Sequence, residues 1–192
     1  MNNRYFCRSP YFNVYERATT KSNISSQILY GEKFQIVQKK ENFLKVKTSY
    51  DKYVGFIKVG KFNKNVNQTH KVSVLKSKIY SKPLSRFVTK KFLPFSSRIE
   101  FLEKKNNFVK FEKNKWVNFN ELESIKKRNI DFVKILKLFL GCKYKWGGKS
   151  FDGIDCSALL QIFYKFNNKF FPRDTVDPVS YTHLRAHETL VH

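Results

Sequence analysis

Alternation of apolar and polar residues dominates the first 122 residues of the chain, and this period of two predicts half-buried β-strands. The alternation is also repeated. The stretch FQIVQKKENFLKV (34–46) aligns with IEFLEKKNNFVKF (99–111) at an offset of 65 residues, and in each copy two alternating stretches flank a turn of the form KK-x-N. We therefore predict two small β units, over residues 1–68 and 69–122.

Asparagine marks the turns of this repeat, because Asn42 and Asn107 are of a residue type that favours tight hairpins. After the first copy, SYDKYVGFIK adds another turn and a short strand. After the second copy, EKNKWVNF does the same more tightly. Each β unit is thus predicted to contain several short strands joined by turns.

Beyond residue 122 the period changes to that of a helix. In NIDFVKILKLFLG (129–141), Asp131 is expected as the N-cap and Gly141 as the stop. The predicted apolar face of this helix consists of Phe132, Leu136, Phe139 and Leu140. A loop rich in glycine and aromatic residues follows (142–155), and CSALLQIFYKF (156–166) again has helical spacing. The pattern predicts an α+β protein, with two β units before an α-containing domain.

Composition places the chain among globular proteins, with 41% hydrophobic residues and no apolar run near the ~18 residues of a membrane helix. The first residues, MNNRYFCRSPYF, lack the basic and apolar regions of a secretory signal, so none is predicted. The net charge of +23 raises a polyanion as a partner, yet the lysines are scattered and form no dense block. We favour a general lysine bias, and predict neither a membrane span nor nucleic acid as a partner.

The three cysteines, Cys7, Cys142 and Cys156, are too few and too irregular for a disulfide framework or a tetrahedral zinc site. Cys156 differs from the other two because it stands where the glycine-rich loop ends and a helical pattern begins. The free N–H groups and the dipole of a helix N-terminus favour a thiolate over a thiol. On position alone, Cys156 is either a packed core cysteine or a nucleophile.

A longer motif surrounds this cysteine. FLGCKYKWGGKSFDGIDCSALLQ (139–161), followed by PRDT (172–175), resembles the core signature of the NlpC family of papain-like cysteine peptidases. That signature contains a Tyr-x-Trp-Gly-Gly loop, Asp-Cys-Ser at a helix start and a Pro-Arg-Asp segment. Upstream, SQILYGEKFQIV, SYDKYVGFIK and THKVSVL resemble the tandem bacterial SH3-like domains of the family's cell-wall recycling members. The resemblance implies two small SH3-like β-barrels followed by the N-terminal part of a papain-like α+β peptidase domain, over residues 123–178.

The resemblance also implies roles for individual residues. Cys156 would be the nucleophile that forms an acyl-enzyme, and its backbone N–H and the Tyr144 hydroxyl would bind the oxyanion. The residues expected around the substrate's free amino terminus are Asp155, Ser157 and Thr175, with Glu32 and Tyr53 of the first barrel as a cap. Trp146 is expected to be a packing residue, and Arg173 is expected to pair with Asp174.

The family's pattern breaks downstream of Cys156, where a histidine on a later strand would serve as the base. Only 36 residues follow Cys156 in this sequence, and His70 falls in the β region. The other histidines, His183, His187 and His192, lie in VSYTHLRAHETLVH (179–192), which resembles a translated sequencing adapter and is expected to be spurious. Within it, HETLVH has one residue too many for the zinc motif H-E-x-x-H.

These inferences predict a thiol peptidase that hydrolyses a peptidoglycan-derived peptide at a γ-D-glutamyl–diaminoacid bond through Cys156. This fragment is expected to be inactive because it lacks the base. No cofactor and no metal are expected. A cytoplasmic location is favoured, with the periplasm and the cell exterior left open. The competing hypothesis is a non-catalytic protein that binds the cell wall or another polyanion through its barrels and its basic surface.

Overall fold

The computed structural model describes residues 4–128 and 131–173. Its first β unit, residues 4–63, consists of seven strands in one antiparallel sheet with the order β3-β2-β6-β5-β4-β1-β7. The strands are β1 (Arg4–Cys7), β2 (Tyr11–Tyr15), β3 (Ile24–Leu29), β4 (Lys33–Lys40), β5 (Phe43–Thr48), β6 (Val54–Lys58) and β7 (Phe62–Asn63).

The alternation seen in the sequence places one face of this sheet in a core. In β2 and β5, buried residues alternate with residues that solvent reaches, as a sheet with one covered face requires. The buried core of the first β unit consists of Cys7, Phe12, Val14, Ile28, Phe34, Leu44, Val46 and Ile57. The predicted period of two is confirmed here.

The second β unit, residues 70–124, has two smaller sheets, with the orders β10-β9-β14-β13-β12 and β11-β8-β15. Its strands are β8 (His70–Val72), β9 (Lys76–Tyr80), β10 (Val88–Pro94), β11 (Arg98–Ile99), β12 (Glu103–Lys105), β13 (Phe108–Glu112), β14 (Lys115–Asn118) and β15 (Leu122–Ser124). Two 3-10 turns, Ser85–Phe87 and Phe119–Glu121, connect strands. Both sheets cover a core centred on Ile79, Val109, Phe111 and Val117.

The repeat in the sequence is a repeat of hairpins. Lys40 pairs with Phe43 across the β4–β5 turn, and Lys105 pairs with Phe108 across the β12–β13 turn, so the same two-residue loop recurs 65 residues later. Asn42 and Asn107 lie in these turns, as predicted. The residue with a positive φ is the one before each of them, Glu41 and Asn106.

The second copy departs from the first before its hairpin. The predicted strand over residues 99–105 is split, because β11 pairs with β8 in another sheet and only β12 joins the hairpin. The ladders also end at free edge strands, so the pairings among the described residues form no closed barrel. Two separate barrels are therefore not confirmed, whereas a mostly β, α+β fold is. β15 reaches Ser124, two residues beyond the predicted boundary at 122, and the predicted domain bounds stay predictions.

The helical segment, residues 131–173, contains α1 (Phe132–Leu138), a short hairpin of β16 (Lys149–Ser150) and β17 (Gly153–Ile154), and α2 (Cys156–Phe166). It shares a core with both β units: Leu29 and Phe95 pack with α-helical residues, and the Phe95 and Phe166 rings stack at 4.6 Å. Among the described residues, no helix is long and apolar enough to cross a membrane.

Helix α1 is shorter than its sequence pattern predicted. Its N-cap is Asp131, as expected, because the carboxylate accepts a hydrogen bond of 2.9 Å from the Lys134 N–H. The prediction that Leu140 faces the core is wrong, since Leu140 is 76% exposed while Ile135 and Phe139 are buried. The helix ends at Leu138, so Leu140 lies beyond it and no longer follows the helical period.

The two β units meet closely at Gly31. This residue has φ of +79°, and a Cβ built on it would lie 2.0 Å from the carbonyl oxygen of Arg98. The Arg98 N–H donates a hydrogen bond of 3.0 Å to the Tyr30 carbonyl in the same place. Glycine is required here by both the left-handed backbone and the close approach of β11.

We therefore predict that Gly31→Ala destabilises the protein by about 2 kcal/mol or more, since it combines backbone strain with a backbone clash. Gly141→Ala is the matched control. Gly141 has φ of +80°, but a Cβ added there would meet no atom of the described residues within 4 Å, so only the conformational cost of about 1 kcal/mol applies. Urea unfolding of both variants checks the order. Equal losses would show that β11 and the Gly31 turn are not in close contact.

Candidate active site

Cys156 is the first residue of α2 and is exposed. The helix begins there because the preceding residue, Asp155, has an extended backbone and caps it: its Oδ1 accepts a hydrogen bond of 2.8 Å from the Ala158 N–H. The sequence prediction that Cys156 stands at a helix N-terminus is confirmed. The alternative, a cysteine packed in the core, does not describe this residue.

Arg173 holds the Asp155 carboxylate. Its Nη1 donates to Oδ1 at 2.8 Å and its Nη2 donates to Oδ2, so the guanidinium binds both carboxylate oxygens. Burial alone would raise the pKa of Asp155, but the hydrogen bonds and charge of Arg173 outweigh burial and hold that pKa below its usual range. The carboxylate is therefore charged at neutral pH. The sequence did not predict Asp155 as a partner of Arg173. It predicted that Arg173 pairs with Asp174, which lies outside the described residues.

Both oxygens of Asp155 are already occupied within the chain. Oδ1 also accepts from the Ser157 hydroxyl at 3.1 Å, and Oδ2 accepts from the Gly147 N–H at 2.9 Å. Ser157 in turn accepts a hydrogen bond from Arg173 and is partly buried. Asp155 and Ser157 do flank the thiol, as predicted, but here they form the cap of the helix. Their role towards a substrate amine stays a prediction.

The loop before Cys156 is built on a tight turn. The Gly148 N–H donates to the Lys145 carbonyl at 2.9 Å, and Gly147, with φ of +74°, occupies the third position of that turn, as in type II turns. A Cβ on Gly147 would lie 2.3 Å from the carbonyl oxygen of Ile24 in β3. The glycine thus lets the loop rest directly on the first β unit.

This turn exposes the two aromatic residues of the loop. Trp146 stands at the second position of the turn and is 68% exposed, so the prediction that it packs in the core is wrong. Tyr144 is 67% exposed, while its backbone forms a parallel bridge with Ile154 in β17. The Tyr144 side chain is therefore largely exposed to solvent, and its role as an oxyanion donor stays a prediction.

A second buried ion pair connects the loop to the first β unit. Lys149 Nζ lies 3.7 Å from Asp51 Oδ2, and the two side chains are 4% and 1% exposed. Asp51 also accepts hydrogen bonds from Thr48 and, at 2.9 Å, from Gln161 of α2. Burial alone would raise the pKa of Asp51, but Lys149 and these donors hold it below its usual value. Burial lowers the pKa of Lys149 to about 8, although Asp51 opposes this.

Three further hydrogen bonds connect the helical segment to the first β unit. The Lys149 N–H donates to Gln27 Oε1 at 2.7 Å, and Arg173 Nε donates to Ser26 Oγ at 3.1 Å, both in β3. The Tyr11 hydroxyl donates to Asp152 at 2.6 Å. No signal in the sequence pointed to Ser26, Gln27, Asp51 or Lys149, because pairings across more than 90 residues leave no local pattern.

Glu32 lies elsewhere. It is 7% exposed and forms an ion pair with Lys165 in the last turn of α2. Nine residues separate Lys165 from Cys156, so this pair lies about 13 Å from the thiol along the helix axis. A pocket of about 390 Å³ borders it, with Tyr50, Gln68 and Arg98 among the lining residues. The structure does not bring Glu32 to Cys156.

The remaining predicted site residues are placed as follows. Tyr53 is partly buried against the core of the first β unit. Thr175 lies outside the described residues, as do His183, His187 and His192. His70 begins β8 and packs against the Phe101 ring at 4.9 Å, so among the described residues no histidine lies in the helical segment. Over residues 4–128 and 131–173, no group of three or more metal-ligating side chains is present.

The other two cysteines are less exposed than Cys156. Cys7 is fully buried in the first β unit, and burial raises its pKa far above the usual range. Cys142 is partly buried against the shared core, and burial raises its pKa as well. Cys156 is thus the one cysteine that is exposed at a helix start.

Two family models match the chain. Residues 14–61 match the bacterial dipeptidyl-peptidase SH3 domain, and residues 141–189 match the NlpC/P60 family. The second match begins before the cysteine loop and ends at residue 189, within the range 179–192 that is expected to be spurious. The spurious origin of that range stays a prediction. No curated protein matches the chain with significance.

Solved structures show the fold. A crystal structure of an NlpC/P60 family protein from Bacillus cereus ATCC 10987 has a TM-score of 0.73 at 17% identity, over 90% of this chain and 75% of that chain. NlpC2 and NlpC1 from Trichomonas vaginalis, at 18% and 20% identity, cover 90% of this chain and 69% and 66% of theirs, with TM-scores of 0.34. The two family models confirm the resemblance to the NlpC family with a bacterial SH3 domain upstream, and the Bacillus cereus structure shows the fold alone.

We predict that Arg173→Gln destabilises the protein by about 3–5 kcal/mol, because it leaves the Asp155 carboxylate buried without its partner. The control is Lys127→Gln, which removes an ion pair with Glu123 whose lysine is 63% exposed, and which should cost less than about 1 kcal/mol. Urea unfolding followed by circular dichroism measures both. A loss for Arg173→Gln as small as that of the control would contradict the buried pair.

Proposed function

We propose that the protein is a thiol peptidase of the NlpC/P60 type whose nucleophile is Cys156. The observation that carries this proposal is the position of that thiol. It is exposed at the start of α2, directly after a cap residue that a buried arginine holds in place. Structural cysteines are normally covered, as Cys7 is, whereas reactive ones stand in partly exposed, electropositive positions.

In the proposed reaction, the Cys156 sulfur attacks the scissile carbonyl and the amine leaves, which produces an acyl-enzyme that water then hydrolyses. The N-terminal N–H groups of α2 point out of the helix start, so the Cys156 N–H can donate to the oxyanion, with the exposed Tyr144 hydroxyl as a second donor. A base for the thiol has to come from outside the described residues. If no residue of this chain outside the described ranges supplies the base, we expect hydrolysis by this chain alone to be slow or absent.

The proposed substrate is a short peptide derived from peptidoglycan, cleaved at a γ-D-glutamyl–diaminoacid bond. Two observations support the class of substrate: the match to the NlpC/P60 family and the match to an SH3 domain described for bacterial dipeptidyl-peptidases. The SH3-like character of both β units is part of this proposal. The three free thiols fit a reducing compartment, and we propose a cytoplasmic location on that ground.

We predict that iodoacetamide at pH 7 labels Cys156 at least about tenfold faster than Cys142, and Cys7 only after unfolding. Cys156 is exposed at a helix N-terminus and open to the reagent, whereas burial raises the pKa of Cys7 and of Cys142 and slows their reaction. Peptide mapping by mass spectrometry gives the three rates, and Cys156→Ser serves as the control. Equally slow labelling of all three cysteines would contradict an activated nucleophile.

The competing function is the binding of an anionic polymer without catalysis, which the net charge of +23 favours. If this function is the true one, binding to wall polymer or nucleic acid weakens steeply with salt, in proportion to the number of phosphates neutralised. We predict only weak binding with a shallow salt dependence, because the lysines are scattered over the surface. Titrations at 50 and 200 mM salt distinguish the two functions.

A further inference from the structure

Four buried charged side chains form one group behind Cys156. Asp155 and Arg173 are 7% and 3% exposed, and Asp51 and Lys149 are 1% and 4% exposed in their side chains. We call these four the charge quartet. It contains two carboxylates and two cations, so its net charge is zero. Three members come from the helical segment and one, Asp51, comes from the first β unit.

The two ion pairs of the quartet are coupled. The Lys149 N–H and the Arg173 Nε donate to neighbouring residues of β3, Gln27 at 2.7 Å and Ser26 at 3.1 Å, so the two pairs meet at the same strand. The charges of Asp155 and Arg173 accordingly act on the pKa of Lys149, in opposite directions. Asp51 also reaches beyond Lys149, because it accepts a hydrogen bond of 2.9 Å from Gln161. Gln161 donates as well to the Phe171 carbonyl at 3.2 Å, two residues before Arg173. A single carboxylate thus contacts the hairpin and the helix, and Gln161 connects it to the segment that supplies Arg173.

The charge quartet meets the cysteine at the residues on either side of it, Asp155 and Ser157. Asp155 precedes Cys156 and caps its helix, and Arg173 contacts Ser157, which follows it. Charges in a buried, weakly screened environment act over longer distances than charges on the surface. The electrostatic surroundings of Cys156 therefore depend on whether the quartet remains neutral.

We propose that Asp51 of the first β unit is a positioning residue of the Cys156 site, which it serves by fixing Lys149 and Gln161 and by neutralising the quartet. This inference rests on the proposed role of Cys156. It assigns the first β unit a part in presenting the nucleophile, through one buried carboxylate that the sequence motifs around Cys156 do not contain.

The test compares the alkylation of Cys156 by an anionic and a neutral reagent, iodoacetate and iodoacetamide, at pH 6 and pH 7. The lower pH is included because burial lowers the pKa of Lys149 to about 8 and the loss of Asp51 lowers it further, so that Lys149 is more fully charged at pH 6. The variants are Asp51→Asn, Lys149→Gln and the double variant that carries both. The ratio of the two rate constants depends on local charge, whereas a change in exposure or flexibility alters both rates together. The control is Asp152→Asn, since Asp152 also contacts the first β unit, through Tyr11, but is exposed and outside the quartet.

At pH 6 we expect Asp51→Asn to raise the iodoacetate-to-iodoacetamide ratio by about twofold or more, because one unit charge at roughly 10 Å has a twofold effect with water-like screening and a larger effect when it is buried. Lys149→Gln should lower the ratio by a similar factor, and the double variant should return it to the wild-type value. Asp152→Asn should leave the ratio within about 1.5-fold of wild type, because charges in solvent are screened.

The positioning role of Asp51 is tested separately, by hydrogen exchange. Hydrogen exchange of peptides covering residues 145–162 should accelerate in Asp51→Asn and in Gln161→Ala, but not in Asp152→Asn. Gln161→Ala removes the hydrogen bond between Asp51 and α2 without changing any charge. Gln161→Ala also keeps the proposal testable if Asp51→Asn does not fold.

Two results would overturn the proposal while leaving Cys156 as nucleophile: an unchanged ratio in both single charge variants, or ratios that move in the same direction. Slow labelling of Cys156 in the wild type would instead contradict the proposed function itself. The two failures are therefore distinguishable in one experiment.

Discussion

The buried ion pair between Asp155 and Arg173 is the interaction on which the site depends. A carboxylate that is 7% exposed needs a charged partner, and the guanidinium supplies one with two parallel hydrogen bonds. The same carboxylate caps α2 and holds the loop at Gly147. One ion pair thus fixes where the helix begins, where the glycine loop lies and where the thiol emerges.

The opposite end of α2 is held by the second β unit. Lys71 Nζ donates to the Phe166 carbonyl at 2.5 Å, and Arg98 donates to the Lys165 carbonyl at 3.1 Å. Cations at a helix C-terminus satisfy free carbonyls and complement the helix dipole. α2 is therefore oriented by charge along its length, with an acid and the thiol at its start and two cations at its end. Burial lowers the pKa of Lys71 to about 8, because the charged ammonium group loses contact with water there.

Local features of the site were predictable from the sequence, and long-range ones were not. The helix start at Cys156, the Asp131 cap and the two hairpins follow from residue types and periodicity that act within a few positions. Arg173 was visible in the Pro-Arg-Asp motif, but its bonds to Asp155 span 18 residues and were not predicted, while its pairing with Asp174 stays a prediction. Leu140 was placed in the core because the helical period was extended beyond the last turn of α1. Trp146 was placed there because large aromatic residues are usually covered, whereas the turn at Gly147 projects it outward. Glu32 was assigned to the site from the resemblance alone, and its partner Lys165 shows that a motif does not determine which end of a helix a residue meets.

Fold and site are connected in this chain because the helical segment shares its core with both β units. That core includes Leu29 of the first β unit and Phe95 of the second. The same docking brings Asp51, Ser26 and Gln27 against the cysteine loop. The contacts that stabilise the helical segment are therefore also those that orient its nucleophile, and a loss of docking would affect stability and thiol reactivity together.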